Sequence, residues 1–81
     1  MSHTPHELAE EFPDAAELIH QLKLDDAHFA RLAEEYHVVN RAVHRAETLA
    51  EPVSEAHEQE LRRKRVALKD EIARILADAK A

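Results

Sequence analysis

Residues 29–50 read FARLAEEYHVVNRAVHRAETLA, and residues 55–79 read EAHEQELRRKRVALKDEIARILADA. In the first stretch Phe29, Leu32, Tyr36, Val39, Val43, Ala46 and Ala50 recur at alternating steps of three and four. That is the apolar stripe of a helix laid against another helix. In the second stretch Leu61, Leu68, Ile72, Ile75 and Ala79 form a matching stripe, with Arg65 at its one charged position. Between them, Glu51-Pro52-Val53-Ser54 interrupts the pattern: Pro52 is a poor helix-interior residue, and Ser54 is a competent N-cap followed by Glu55 and Glu58. The spacing therefore predicts helices over about 26–49 and 55–79, folded back on each other near Pro52. Facing residues of such a hairpin have numbers with a constant sum. Val43 with Leu61, Tyr36 with Leu68, Leu32 with Ile72 and Phe29 with Ile75 all sum to 104. The fold class expected is all-α, an antiparallel hairpin of two long helices with Phe29, Leu32, Tyr36, Val39, Val43, Leu61, Leu68, Ile72 and Ile75 as its core. The same sum sets Arg65 opposite Val39 and beside Asn40. Its stem is expected to pack along the seam while its head reaches solvent or an acid.

Outward from the hairpin, the N-terminal part reads as short helical pieces. Thr4-Pro5-His6-Glu7 has the form of a helix start, with Thr4 as cap, Pro5 in the first helical position and Glu7 reaching back. Pro13 biases Phe12 away from helical dihedrals and opens a second short helix, with Asp14 and Glu17 suited to its dipole and Leu18, Ile19 and Leu22 as its apolar face. Asp25 or Asp26 offers the next N-cap, and a continuous helix through this point is an open alternative. We divide the chain into an arm over 1–13 with a short helix and a hairpin unit over 14–81.

Composition narrows the function classes. The 81 residues carry 44% hydrophobic residues, 35% charged residues, no Gly and no Cys. A chain this short encloses little volume, so a large pocket is not expected. Without Cys there is no disulfide, thiolate zinc site or cysteine nucleophile. The absence of Cys is compatible with a reducing, cytosolic setting; the N-terminus lacks the basic and apolar regions of a signal peptide, and no apolar run approaches a membrane span, so the expectation is a soluble protein with no membrane partner. The net charge of −6 sits almost wholly in residues 1–27, which supports solubility and argues against general nucleic-acid binding.

Candidate chemistry is sparse. Of seven histidines (His3, His6, His20, His28, His37, His44 and His57), none forms an i,i+4 pair or a His-Glu-x-x-His motif, so exposed helical histidines are expected rather than a metal site. Arg62-Arg63-Lys64-Arg65 is the candidate nucleic-acid surface, because phosphate binding needs clustered cations. Four consecutive helical residues spread around most of a turn, however, and Glu58 and Glu60 flank them without aromatic stacking partners. The acid-before-base pairs Glu58/Arg62, Glu60/Lys64 and Asp70/Arg74 mark a solvated face. No nucleophile motif, no phosphate loop and no cofactor signature is present, so the expectation is a protein that is not an enzyme and takes no cofactor. Tyr36 on the stripe reads first as core.

Several of these stretches together resemble the YdcH-like family, small bacterial proteins of unknown function. They are Phe12-Pro13-Asp14, Leu18-Ile19, Leu22-Lys23, His28-Phe29, Leu32, Tyr36-His37, Val39-Asn40, Val43-His44-Arg45-Ala46-Glu47, Leu68-Lys69-Asp70-Glu71-Ile72 and Ile75-Leu76. The resemblance covers roughly 12–76 and implies a helical hairpin, cytoplasmic, with no established enzymatic activity and no catalytic residues. The His-rich residues before Phe12 and the proline in the turn depart from the family pattern.

An interaction module remains. A hairpin without disulfide or metal buries too little on its own, and oligomerisation is the usual remedy. A second stripe of Val38, Leu49, Val66 and Leu76, with the face of Leu18, Ile19 and Leu22, is expected to seek cover from another copy of the chain or from a protein partner of unknown identity. The function expected is a homo-oligomeric adaptor or regulator acting through protein contacts, with a nucleic-acid accessory role through Arg62 to Arg65 as the alternative.

Overall fold

The computed structural model describes residues 5–48 and 54–80. A single helical turn, α1 (Leu8–Glu11), leads through a 3-10 turn at Pro13–Ala15 into α2 (Ala16–Asp25), α3 (Ala27–Glu47) and α4 (Glu55–Lys80). Among the described residues there is no strand. Two of the helix starts are set by the side chains that the sequence offers. Asp26 accepts from the backbone amides of His28 at 2.9 Å and Phe29 at 3.2 Å, and Ser54 Oγ accepts from the amide of His57 at 3.1 Å. These bonds satisfy amides that have no partner inside the helix. The break between α2 and α3 thus falls on Asp26 alone, which lies extended at φ −130°, ψ 106°.

The N-terminus differs from expectation. Helix begins at Leu8 rather than Pro5, and Glu7 occupies the N-cap position without a side-chain capping bond. The physical reason is His6, held at φ 63° in the left-handed region, which a helix cannot include. Thr4, Leu49 and Pro52, read as cap, outer stripe and turn, lie outside the described residues.

The two long helices pack along one another, and α2 folds back on α3. Their antiparallel course is visible in cross-links: Arg62 bonds Glu47, whereas Arg65, further along α4, bonds Asn40, earlier on α3. Phe29, Leu32, Tyr36, Val39, Val43, Leu68 and Ile72 are buried as the stripes require, and Leu61 and Ile75 are partly buried against them. Leu76 needs correction. It is 3% exposed, inside the core rather than on an outward stripe. One residue advances a helix by about 100°, which turns Leu76 from the hairpin seam onto its flank. There Leu76 and Ala73 line a cleft with Phe12 and Ala15. Leu8, Ala15 and Ile19 belong to the same buried cluster as the hairpin residues, with Phe12, Leu18 and Leu22 packed against it. Residues 5–25, the first segment together with α2 and called the arm from here on, therefore form a third layer of one core.

Candidate interaction site

The polar chemistry of the molecule concentrates where residues 5–11 cross α3 and α4. Asn40 is fully buried in the middle of α3. Its Nδ2 donates to the carbonyl of Pro5 at 2.8 Å, and its Oδ1 accepts from Arg65 Nη1 at 3.0 Å. The amide has only one orientation consistent with these partners, because a carbonyl only accepts and a guanidinium only donates. One turn earlier on α3, the Tyr36 hydroxyl donates to the carbonyl of His6 at 2.6 Å. Two adjacent carbonyls of the arm are thus taken by two side chains spaced i,i+4 on one helix face. No buried side-chain polar atom among the described residues is left without a partner.

Charged contacts frame this joint. Glu7 Oε2 meets His37 Nδ1 at 3.1 Å, and Glu11 Oε1 accepts from Lys69 Nζ at 2.5 Å. Glu11 Oε2 also faces His6 Nδ1 at 3.4 Å. The Lys69 hydrogen bond draws the Glu11 carboxyl below its ordinary pKa of 4.5; partial burial opposes this and His6 assists it. Burial raises the Tyr36 hydroxyl above its ordinary 10.0, the Glu11 carboxylate adds to that, Arg65 opposes it and Glu7 adds a smaller push. Tyr36 is therefore a neutral donor across the physiological range.

The four basic residues of the cluster are placed differently. Arg62 lies between Glu47 at 3.1 Å and Glu58 at 3.0 Å. Arg65 turns inward to Asn40 rather than to solvent or an acid, the place expected for its head. Arg63 and Lys64 are exposed. Of the expected acid–base pairs, Glu58 with Arg62 is formed. The histidines yield no group of three or more His, Cys, Asp or Glu able to hold a metal ion among the described residues, and His3 lies outside them. No helix among the described residues is long and apolar enough to cross a membrane.

Sequence reasoning placed Tyr36 in the core and Arg65 beside Asn40 but missed what joins them: the backbone of residues 5 and 6. The available signal was Asn40 itself, an amide next to the buried Val39 whose four hydrogen-bonding sites needed partners. Its short side chain and the donor fork of Arg65 account for one side, and the other required a chain segment to cross the helix.

No curated protein and no solved structure matches the chain. A family model described as "Protein of unknown function (DUF465)" matches residues 29–76. That stretch is more than half of the chain and carries Tyr36, Asn40, Arg65 and Lys69, while the arm lies before it. By this match the chain belongs to the DUF465 family of proteins of unknown function.

Proposed function

We propose that the protein is a non-enzymatic interaction module, cytoplasmic and of the YdcH-like kind, whose hairpin flank docks a peptide segment and which associates with itself as an adaptor or regulator. The observation that carries this reading is the use of the buried polar groups. Asn40 and Tyr36 hold the carbonyls of Pro5 and His6 in the chain's own arm, a contact that reads backbone and depends little on which side chains the held segment bears. Around them, Ala33, Leu76 and Tyr36 form an apolar floor that the chain's own N-terminal segment covers, and His37 and Lys69 meet its acidic side chains Glu7 and Glu11 at the edges. Such a combination of main-chain bonds, apolar floor and charged rim is how peptide-docking surfaces gain affinity and register. Leu24, Val38 and Val66, at 70%, 54% and 55% exposed, add apolar surface for further contacts.

A nucleic-acid role is the weaker reading, because Arg62 and Arg65 are engaged within the fold and leave Arg63 and Lys64 as the exposed remainder of the cluster. Sedimentation equilibrium of the full chain from micromolar to millimolar concentration tests self-association. The expected result is a mass rising from monomer toward dimer. A monomer at every concentration would refute self-association, and a salt-sensitive gel shift lost on neutralising Arg63 and Lys64 would favour the nucleic-acid reading.

A further inference from the structure

The geometry points to an exchange of the arm between two copies: α2 and α3 fuse through Asp26 into one helix, and residues 5–25 of each chain dock on the hairpin flank of the other. This deepens the proposed self-association and rests on it.

The junction is nearly a helix already. The Asp26 amide donates to the Leu22 carbonyl at 2.8 Å, as the last bond of α2, and its carbonyl accepts from the Ala30 amide at 2.9 Å, as the first bond of α3. Only the dihedral angles of Asp26 depart from the helical basin. The extended conformation is held by the Asp26 carboxylate, which takes the amides of His28 and Phe29. In a fused helix the carbonyls of Leu24 and Asp25 would take those two amides in the ordinary i to i−4 pattern, so the exchange conserves backbone hydrogen bonding. The prolines nearest this junction are Pro13 and Pro52, and the chain contains no Gly, so nothing else in the stretch enforces a bend.

The apolar register also runs through the junction. Leu18, Leu22, Phe29, Leu32, Tyr36, Val39 and Val43 keep the three- and four-residue steps across it, with Asp25 in the one polar position. A fused helix would therefore extend the seam of α3, and its Leu18 and Leu22 would need a partner. The arm's own contacts determine that partner. Ala16, Ile19 and Lys23 face Ala30, Ala33 and His37 across one groove, so α2 lies back along α3. The same segment, arriving from a second copy, finds the same groove, the same Asn40 and Tyr36 donors and the same Lys69. Exchange of an identical element is a low-cost route to a dimer when the junction is short.

The test uses the full chain, prepared unlabelled and nitrogen-15 labelled, mixed unfolded and refolded together. Carbodiimide then joins Glu11 to Lys69 across their salt bridge, and mass spectrometry of the dimer fraction reads whether the linked peptides come from one isotope or two. Two variants bracket the hinge. Asp26→Ala removes the carboxylate that holds the bend, and Ala27→Pro enforces it, because proline suits the first helical position and keeps the preceding residue extended. The expected result is mixed-isotope Glu11–Lys69 links in the wild-type dimer. A several-fold larger dimer fraction in Asp26→Ala and a folded monomer in Ala27→Pro complete the expectation. Dimers whose Glu11–Lys69 links remain within one isotope would overturn the exchange and leave self-association standing. Absence of dimer in both wild type and Asp26→Ala would overturn both.

Discussion

Asn40 and Pro5 lie 35 positions apart in the chain and 2.8 Å apart in the fold, joined by a side-chain amide that donates to a main-chain carbonyl. The bond ties the segment before α1 to the centre of α3, and Arg65 on α4 completes it from the other side. One buried side chain thus touches all three layers.

Replacing Asn40 should for that reason cost more than its size suggests. Asn40→Ala leaves the Pro5 carbonyl and the Arg65 guanidinium, both half-buried, without their partner, a penalty of about 1–3 kcal/mol. Urea unfolding followed by circular dichroism measures it; a loss below about 0.5 kcal/mol would show that the arm is not held there.

Tyr36→Phe isolates the neighbouring bond, since only the hydroxyl is removed. The expected loss is about 1 kcal/mol, accompanied by faster amide exchange at Phe12, whose amide closes α1 onto Leu8, than in the middle of α4. Tyr36 is the chain's single tyrosine, so its ionisation is read directly from ultraviolet absorbance. Because the folded pKa is raised above 10.0, the contribution is complete below pH 10 and lost as pH climbs through the folded value. Wild type should accordingly lose stability in that alkaline window, and Tyr36→Phe should lose less.

Glu11 behaves in the opposite sense. Its folded pKa is lowered, so its contribution is present above pH 4.5 and disappears as pH falls through the depressed value. The Lys69 side chain is 40% exposed, which limits the pair to under about 1 kcal/mol after screening. Glu11→Gln should be slightly less stable than wild type at neutral pH and equal to it once Glu11 is protonated, with the difference shrinking in high salt.

Ile72 and Val66 separate core from surface on one helix. Ile72 is fully buried, so Ile72→Asp sets a carboxylate in an apolar seam and should exceed about 4 kcal/mol, enough to abolish cooperative melting. Val66 is exposed, and Val66→Asp should change monomer stability by no more than about 0.5 kcal/mol. Thermal melts by circular dichroism compare the two directly.

The hairpin was legible in the sequence because its evidence is periodic: Phe29, Tyr36 and Val43 against Ile75, Leu68 and Leu61 repeat one relation several times over. The Ser54 cap was legible because its chemistry is local, whereas the sequence left Asp25, Asp26 and a continuous helix open before α3, and the structure selects Asp26. Leu76 was misassigned because the same apolar surplus that suggests a second chain can be covered by an arm of the first, and helical phase alone does not distinguish them. The docking of residues 5–7 was hidden for a different reason. It runs through main-chain carbonyls, which no side-chain pattern encodes, and through the left-handed turn at His6, which no glycine marks.

α3 grips the arm's backbone from within the core, and the side chain of Asn40 reports on that grip most directly. The chain has one asparagine and two glutamines, so the side-chain amide region of its nitrogen-15 spectrum holds three pairs of resonances. The Asn40 pair should exchange with solvent far more slowly than those of Gln21 and Gln59, show Overhauser contacts to Pro5 and lose that protection in Ile72→Asp. An Asn40 amide exchanging as fast as the two glutamines, with no contact to Pro5, would contradict that grip.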